Sequence, residues 1–159
     1  MKFKTHLFIT ALLLIFSTSM AWAQEEEESL MTYDLAMQAM GAAEAYAREQ
    51  GWNVTILITD TNNNPVMLHR IDGAGARTFS YATAKALVVN ATGMTSGEYG
   101  QQVEAGEREE IEGGVTFAGG VPVFRNGVQI GAIATSGVRA AQDEEVSTAG
   151  AEAIGSISN

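Results

Sequence analysis

The chain has 159 residues, with 19 acidic and nine basic side chains, a formal net charge of −10 and no cysteine. So acidic a surface disfavours nucleic acids and anionic membranes, and the lack of thiols excludes disulfides and cysteine nucleophiles. A chain of this length is sufficient for one ordinary domain that buries its core without cross-links.

The first 23 residues have the pattern of a secretory signal peptide. Lys2 and Lys4 precede an apolar run of secretory length, and Ala-Trp-Ala at 21–23 fits a cleavage site. We expect cleavage before Gln24 and a periplasmic or secreted protein with no membrane insertion after cleavage. Removing the two lysines leaves seven basic against 19 acidic side chains, a net charge of −12.

The mature chain is expected to contain one folded domain. Residues 24–30 include the run Glu25–Glu28, whose like charges predict an acidic disordered leader. Residues 31–159 then form the domain itself. No internal repeat or low-complexity segment divides it.

Hydrophobic periodicity predicts a helix, a hairpin and a second helix in the first half of the domain. Thr32 is a suitable N-cap for the first helix, and Gly51 and Gly93 are suitable stops. The predicted elements are a helix over 32–50, strands over 53–59 and 66–70, and a helix over 77–92.

The segment from 94 to 114 has no clear periodicity and is interpreted as a long charged loop with at most one helical turn. Glu104, Glu107 and Glu110 are spaced by three, so on a helix they would share a face and could hold a cation. A solvated acidic face is the simpler interpretation of the same charges.

Asn126-Gly127 predicts a tight hairpin with a type I′ turn, because both residues tolerate positive φ. Its arms cover 121–124 and 128–134. In the second arm Val128, Ile130, Ala132 and Ala134 are expected to share one face. A last helix is predicted over 143–158.

The resulting order is α-β-β-α-loop-β-β-α, in which hairpins alternate with helices. This order favours an α+β fold with a central antiparallel sheet flanked by helices, rather than a parallel nucleotide-binding sheet. This sequence contains no P-loop and no dinucleotide-binding fingerprint.

The polar residues near the ends of the elements are the candidate site. His69 is the only histidine after the signal peptide and so the first candidate for iron ligation, with Arg70 beside it. Tyr81 and Lys85 are four residues apart on one face of the second helix. Tyr81 and Tyr99 are weaker candidate ligands, because a phenolate also binds ferric iron.

Six motifs occur in order along the chain: Arg70–Ala74, Ala82-x-x-Lys85-Ala86, Gly119-Gly120-Val121-Pro122-Val123, Asn126-Gly127-x-x-Ile130-Gly131-Ala132-Ile133, Thr135-Ser136-Gly137 and Asp143-Glu144. As an ordered set they resemble the GlcG/HbpS-like family of heme-binding proteins, which is related to the C-terminal domain of PduO. The resemblance implies a profilin-like fold, a homo-oligomer and, for secreted members, heme or iron-related binding.

The leading hypothesis is a secreted or periplasmic protein for heme carriage, storage or sensing. Porphyrin would lie in a groove near the second helix and Gly119-Gly120, with His69 or a tyrosine on iron. Arg70 or Lys85 would pair with the propionates.

Two alternatives stay open. One is a non-catalytic oligomeric scaffold or sensor accessory. The other is an enzyme or binder for a small carbonyl or hydroxy-acid metabolite, with Arg70 or Lys85 on a carboxylate and Asp60 or Asp72 moving the proton.

Overall fold

The computed structural model describes residues 30–158. The predicted signal peptide and nearly all of the predicted acidic leader lie outside the described residues. Within the described range, no helix is both long and apolar enough to cross a bilayer.

The described residues form four helices and four strands in the order α1-β1-β2-α2-α3-β3-β4-α4. Their bounds are α1 Tyr33–Glu49, β1 Thr55–Asp60, β2 Pro65–Arg70, α2 Thr78–Thr92, α3 Ser96–Glu104, β3 Gly120–Arg125, β4 Val128–Ser136 and α4 Ala140–Glu152.

The strands form a single antiparallel sheet in the order β2-β1-β4-β3. Helices α1 and α4 cover one face, where alanines of α1 pack on Ile56, Ile58 and Ile133. Helix α2 covers the other face, against Leu57, Ala132 and Ala134 and their neighbours. The expected α+β class and the flanked central sheet are confirmed.

Local signals explain the ends of α1 and the second hairpin. The Thr32 hydroxyl accepts a hydrogen bond from Leu35 N at 3.3 Å, and Gly51 ends the helix with φ of +72°. Asn126 and Gly127 have φ of +50° and +76°, as a type I′ turn requires. Both predictions are confirmed.

Helix α3, Ser96–Glu104, lies in the first half of the segment 94–114 that was expected to be a loop. Thr95 and Glu98 form a reciprocal capping box, with Glu98 N donating to the Thr95 hydroxyl at 3.1 Å and Thr95 N donating to the Glu98 carboxylate at 3.0 Å. The helix ends at Glu104, before Glu107. Glu107 and Glu110 therefore do not share a helical face with Glu104, and the condition for a cation site on such a face is not met.

A register shift corrects the expected faces of β4. The pairing of β3 with β4 slips between Val123 and Phe124, so Ile130 packs in the α1 and α4 core with Ile133. Ala132 and Ala134 face α2 instead. The expectation that Ile130 shares a face with these alanines is wrong, because a bulge inverts the alternation.

Helix α4 begins and ends earlier than predicted. Gln142 caps its first turn by accepting a hydrogen bond from Arg139 N at 3.3 Å, so the helix begins at Ala140. After Glu152 the chain turns, and Ser156 exchanges two backbone hydrogen bonds with Phe124 at 2.8 and 3.0 Å. The C-terminal segment therefore pairs with β3 instead of continuing the helix.

Candidate functional site

The fold separates the predicted site residues by placing them on opposite faces of the sheet. His69 is paired with Ile56, whose side chain lies in the α1 and α4 core, so His69 points towards α1. Gly120 is paired with Ala134 on the α2 face, where Lys85 also lies. The structure therefore does not bring His69 together with the remaining predicted group, which consists of Tyr81, Lys85, Gly119 and Gly120.

On the α1 side, His69 is held by a carboxylate from the neighbouring helix. Its Nδ1 lies 2.7 Å from Glu44 Oε2, and Arg48 Nε donates to Glu44 Oε1 at 2.7 Å. The hydrogen bond from His69, followed by that from Arg48, lowers the pKa of Glu44 below its ordinary value. The contact uses Nδ1 and leaves Nε2 as the ring nitrogen available to a ligand.

A pocket of about 420 Å³ surrounds this histidine. Arg70, at the end of β2, is exposed and donates from Nη2 to Ala74 O. Two arginines, one imidazole and two carboxylates thus share one opening. The lining residues are Glu44, Arg48, Asn53, Leu68, His69, Arg70, Ile71 and Asp72.

His69 supplies the imidazole nitrogen donor of this pocket. Among residues 30–158, no group of three or more histidine, cysteine, aspartate or glutamate side chains is arranged to hold a bare metal ion. A porphyrin brings four nitrogen ligands of its own and asks the protein for only an axial one. His69 can supply that ligand.

On the α2 side, Lys85 is fully buried and its charge is already paired. Its Nζ donates to Asp143 Oδ2 at 2.8 Å and to Thr135 O at 2.7 Å. Burial lowers the pKa of Lys85, and the Asp143 carboxylate opposes that shift. The other oxygen of Asp143 accepts from Val138 N at 3.0 Å. Lys85 does not present its ammonium to solvent, where a propionate would meet it.

Gly119 and Gly120 provide the space for this lysine. Gly119 has φ of +126°, and a Cβ there would overlap Lys85 Nζ and lie 2.8 Å from Asp143 Cβ. A Cβ at Gly120 would lie 3.0 Å from Lys85 Cβ. The space beside these two glycines is therefore filled by Lys85, because the chain approaches α2 closely there.

Two accessible aromatic rings lie beside Lys85 on the α2 side. Tyr81 and Phe117 meet edge to face with ring centroids 5.8 Å apart, and each is about two-fifths exposed. Phe117 also lies over Lys85, with Nζ 5.2 Å from the ring centroid. Tyr99, in contrast, is buried, and its phenol oxygen accepts from Ile111 N at 2.6 Å.

Sequence reasoning missed the partners of both basic groups. Glu44 was hidden in the helical pattern of α1, and Asp143 was noted only as part of the Asp143-Glu144 motif. A usable signal existed for the second pair. Lys85 lies among Ala82, Ala86 and Val89 on an apolar helix face, and a buried lysine needs an anion.

The fold defines an α+β domain of the profilin-like class, with one antiparallel sheet between helices. The chain belongs to the HbpS-like family, because the family model "Haem degrading protein HbpS-like" matches residues 31–152. This confirms the resemblance found in the sequence motifs. No curated protein matches the chain.

Solved structures agree with the family assignment. A double mutant of Streptomyces reticuli HbpS has 29% identity and a TM-score of 0.73, and the match covers 79% of this chain and 88% of that one. The Klebsiella pneumoniae protein ORFY has 24% identity and a TM-score of 0.72, covering 78% and 90%. A PduOC–heme complex has 22% identity and a TM-score of 0.70, covering 82% and 99%. The last two support the fold alone.

Proposed function

We propose that this protein is an exported heme-binding protein, for carriage, storage or sensing of heme, in which His69 is the axial iron ligand. The observation that carries the proposal is the pairing of His69 Nδ1 with Glu44 at 2.7 Å. A carboxylate on one ring nitrogen fixes the orientation of an imidazole and makes the other nitrogen a better metal ligand.

The surroundings of His69 fit the propionates and the apolar porphyrin surface of heme. Arg48 lines the same pocket and can pair with a propionate, since guanidinium and carboxylate form strong charge-assisted hydrogen bonds. Arg70 also lines the pocket, but its side chain alternates with that of His69 along β2 and donates to Ala74 O. Leu68 and Ile71 supply apolar surface at the same opening. Bound heme would supply a redox-active iron and a strong visible absorption band.

The comparisons support this proposal without assigning the ligand. The matching family is described as haem degrading, and one of the similar structures is a complex with heme. Export rests on the secretory pattern of residues 1–23. Periplasmic or culture-medium fractionation of the expressed full chain tests it, and retention of the uncleaved chain in the cytoplasm would contradict it.

The decisive experiment is a titration of the full chain with hemin, followed by absorbance in the Soret region. We expect saturable binding of one heme per chain. We also expect His69→Ala to weaken it at least about tenfold, or about 1.4 kcal/mol. Tyr81→Phe removes the accessible phenol on the opposite face and is the matched control, expected to bind like the unchanged protein.

The same titration can contradict either part of the proposal. Unchanged affinity in His69→Ala, or loss of binding in Tyr81→Phe, would overturn the His69 assignment. Non-saturable absorbance in the unchanged protein would overturn heme binding itself. A homo-oligomer, proposed from the family resemblance, is tested by light scattering at micromolar concentration, and a strict monomer would contradict it.

A further inference from the structure

Glu144 on α4 has a carboxylate oxygen that the fold seals without a partner. Its Oε2 is buried and accepts no hydrogen bond from any described residue. A Cβ built on Gly97, in the first turn of α3, would lie 3.2 Å from that oxygen and 3.0 Å from the Ala118 methyl group. The oxygen therefore lies where α3 and Ala118 press against α4. An ionised oxygen in that position is costly, because burial removes its hydration.

The chain that presses on Glu144 is held together by its own contacts; we call it the α3 cover and define it as residues 94–118. Tyr99 accepts from Ile111 N at 2.6 Å, and Gly100 packs so closely on Thr116 that a Cβ would overlap its carbonyl oxygen. The unit is bounded by Gly93 and Gly119, whose φ values are +70° and +126°. Gly93 suits a hinge, whereas Gly119 is fixed by the hydrogen bond that its oxygen accepts from Thr135 N at 2.8 Å and is the stationary end of the cover.

Charged and polar groups from each neighbouring element face the Glu144 carboxyl. Burial is the largest influence and raises its pKa. The N–H of Gly119 acts in the opposite direction, Glu98 on α3 raises the pKa further, and Lys85 on α2 lowers it. The sum is a raised pKa, so the closed cover favours the protonated carboxyl more than solvent does.

We propose that the α3 cover is a proton-gated lid, which rests on α4 while the Glu144 carboxyl is protonated and loosens when that carboxyl ionises. Phe117 belongs to the cover and lies over Lys85. Loosening would therefore expose the Lys85–Asp143 pair to water. This inference is independent of heme binding.

The pH window follows from proton linkage. A carboxyl whose pKa is raised in the closed state binds more protons there than in the open state. The closed state is therefore favoured most below the ordinary glutamate value of 4.5, and that advantage is lost as pH rises through the raised pKa. Each unit of elevation corresponds to about tenfold in the opening equilibrium.

Amide hydrogen exchange of the full chain, at about pH 5 and about pH 7.5 and corrected for intrinsic rates, tests the lid. We expect protection of Ser96–Glu104, relative to α1, to fall at the higher pH in the unchanged protein. Glu144→Gln, which cannot ionise, should keep its protection. Glu152→Gln removes an exposed carboxylate from the same helix and should behave like the unchanged protein. Equal exchange in the unchanged protein and Glu144→Gln, at both pH values, would overturn the proposal.

Lys85 supplies a second readout, because it is the only lysine after Lys4. Its modification by an amine-reactive reagent near neutral pH, followed by peptide mapping, should be severalfold slower in Glu144→Gln. Glu144→Gln also removes a negative charge near Lys85, and that change alone predicts faster modification. The reason is that Glu144 raises the pKa of Lys85 and so keeps the amine protonated and unreactive. Faster labelling in Glu144→Gln would therefore count against the lid.

Discussion

Two contacts of nearly equal length, each between a basic and an acidic side chain, lie in opposite environments in this molecule. Lys85 and Asp143 are 2.8 Å apart with side chains 0% and 5% exposed. His69 and Glu44 are 2.7 Å apart with side chains 49% and 23% exposed. Distance alone does not distinguish them, but hydration does.

The difference separates what each pair does for the protein. In the buried pair, each charge has lost its water, so either partner alone would be strongly unfavourable. In the exposed pair, water and salt screen the attraction, and the net contribution to stability is small. The buried pair therefore matters for stability, whereas the exposed pair leaves its groups accessible to a ligand.

The largest expected effect comes from removing the buried cation. Lys85→Met should lower the free energy of unfolding by about 3–5 kcal/mol, because the Asp143 carboxylate stays buried without its partner. Denaturant unfolding measures this difference. Lys85→Met/Asp143→Asn removes both charges and keeps an acceptor for Val138 N, so it should recover part of the loss. A double variant as unstable as the sum of its single variants would contradict this account.

The next effect tests the space around that pair. Gly119→Ala should cost about 2–3 kcal/mol, because it combines a positive φ with overlap on Lys85 Nζ. Gly51→Ala is the control, since Gly51 has φ of +72° but nothing within 4 Å of the added methyl group. It should show only the backbone penalty of about 1 kcal/mol. Equal losses for the two variants in thermal or denaturant unfolding would show that crowding at Gly119 is unimportant.

The smallest effect is expected at the exposed pair. Glu44→Gln should lower the free energy of unfolding by under about 1 kcal/mol, and by less in high salt. The pKa of Glu44 is lowered in the folded state. Its contribution is therefore present above the ordinary value of 4.5 and is lost as pH falls through the lowered pKa. A large, salt-independent loss in chemical unfolding would mean that this pair is not screened.

Individual residues show which parts of the fold could be predicted from the sequence. Thr32, Gly51 and Asn126-Gly127 specified a helix start, a helix stop and a turn, and the structure has all three. The Thr95–Glu98 capping box was equally present in the sequence, but the surrounding charges obscured it and α3 was expected as loop. The sequence identified individual candidate residues, but it did not show which of them lie close together.

The sequence by itself determined the two hairpins, three of the four helices within residues 30–158 and the α+β class, because caps, turns and periodicity act over a few residues. Its ordered motifs determined the family. Only the tertiary structure decided which charges meet. Lys85 and Asp143 are 58 residues apart, and Glu44 and His69 are 25 apart. A register shift at Val123 inverts the faces of β4. Such contacts depend on strand register and helix packing, which no local pattern encodes.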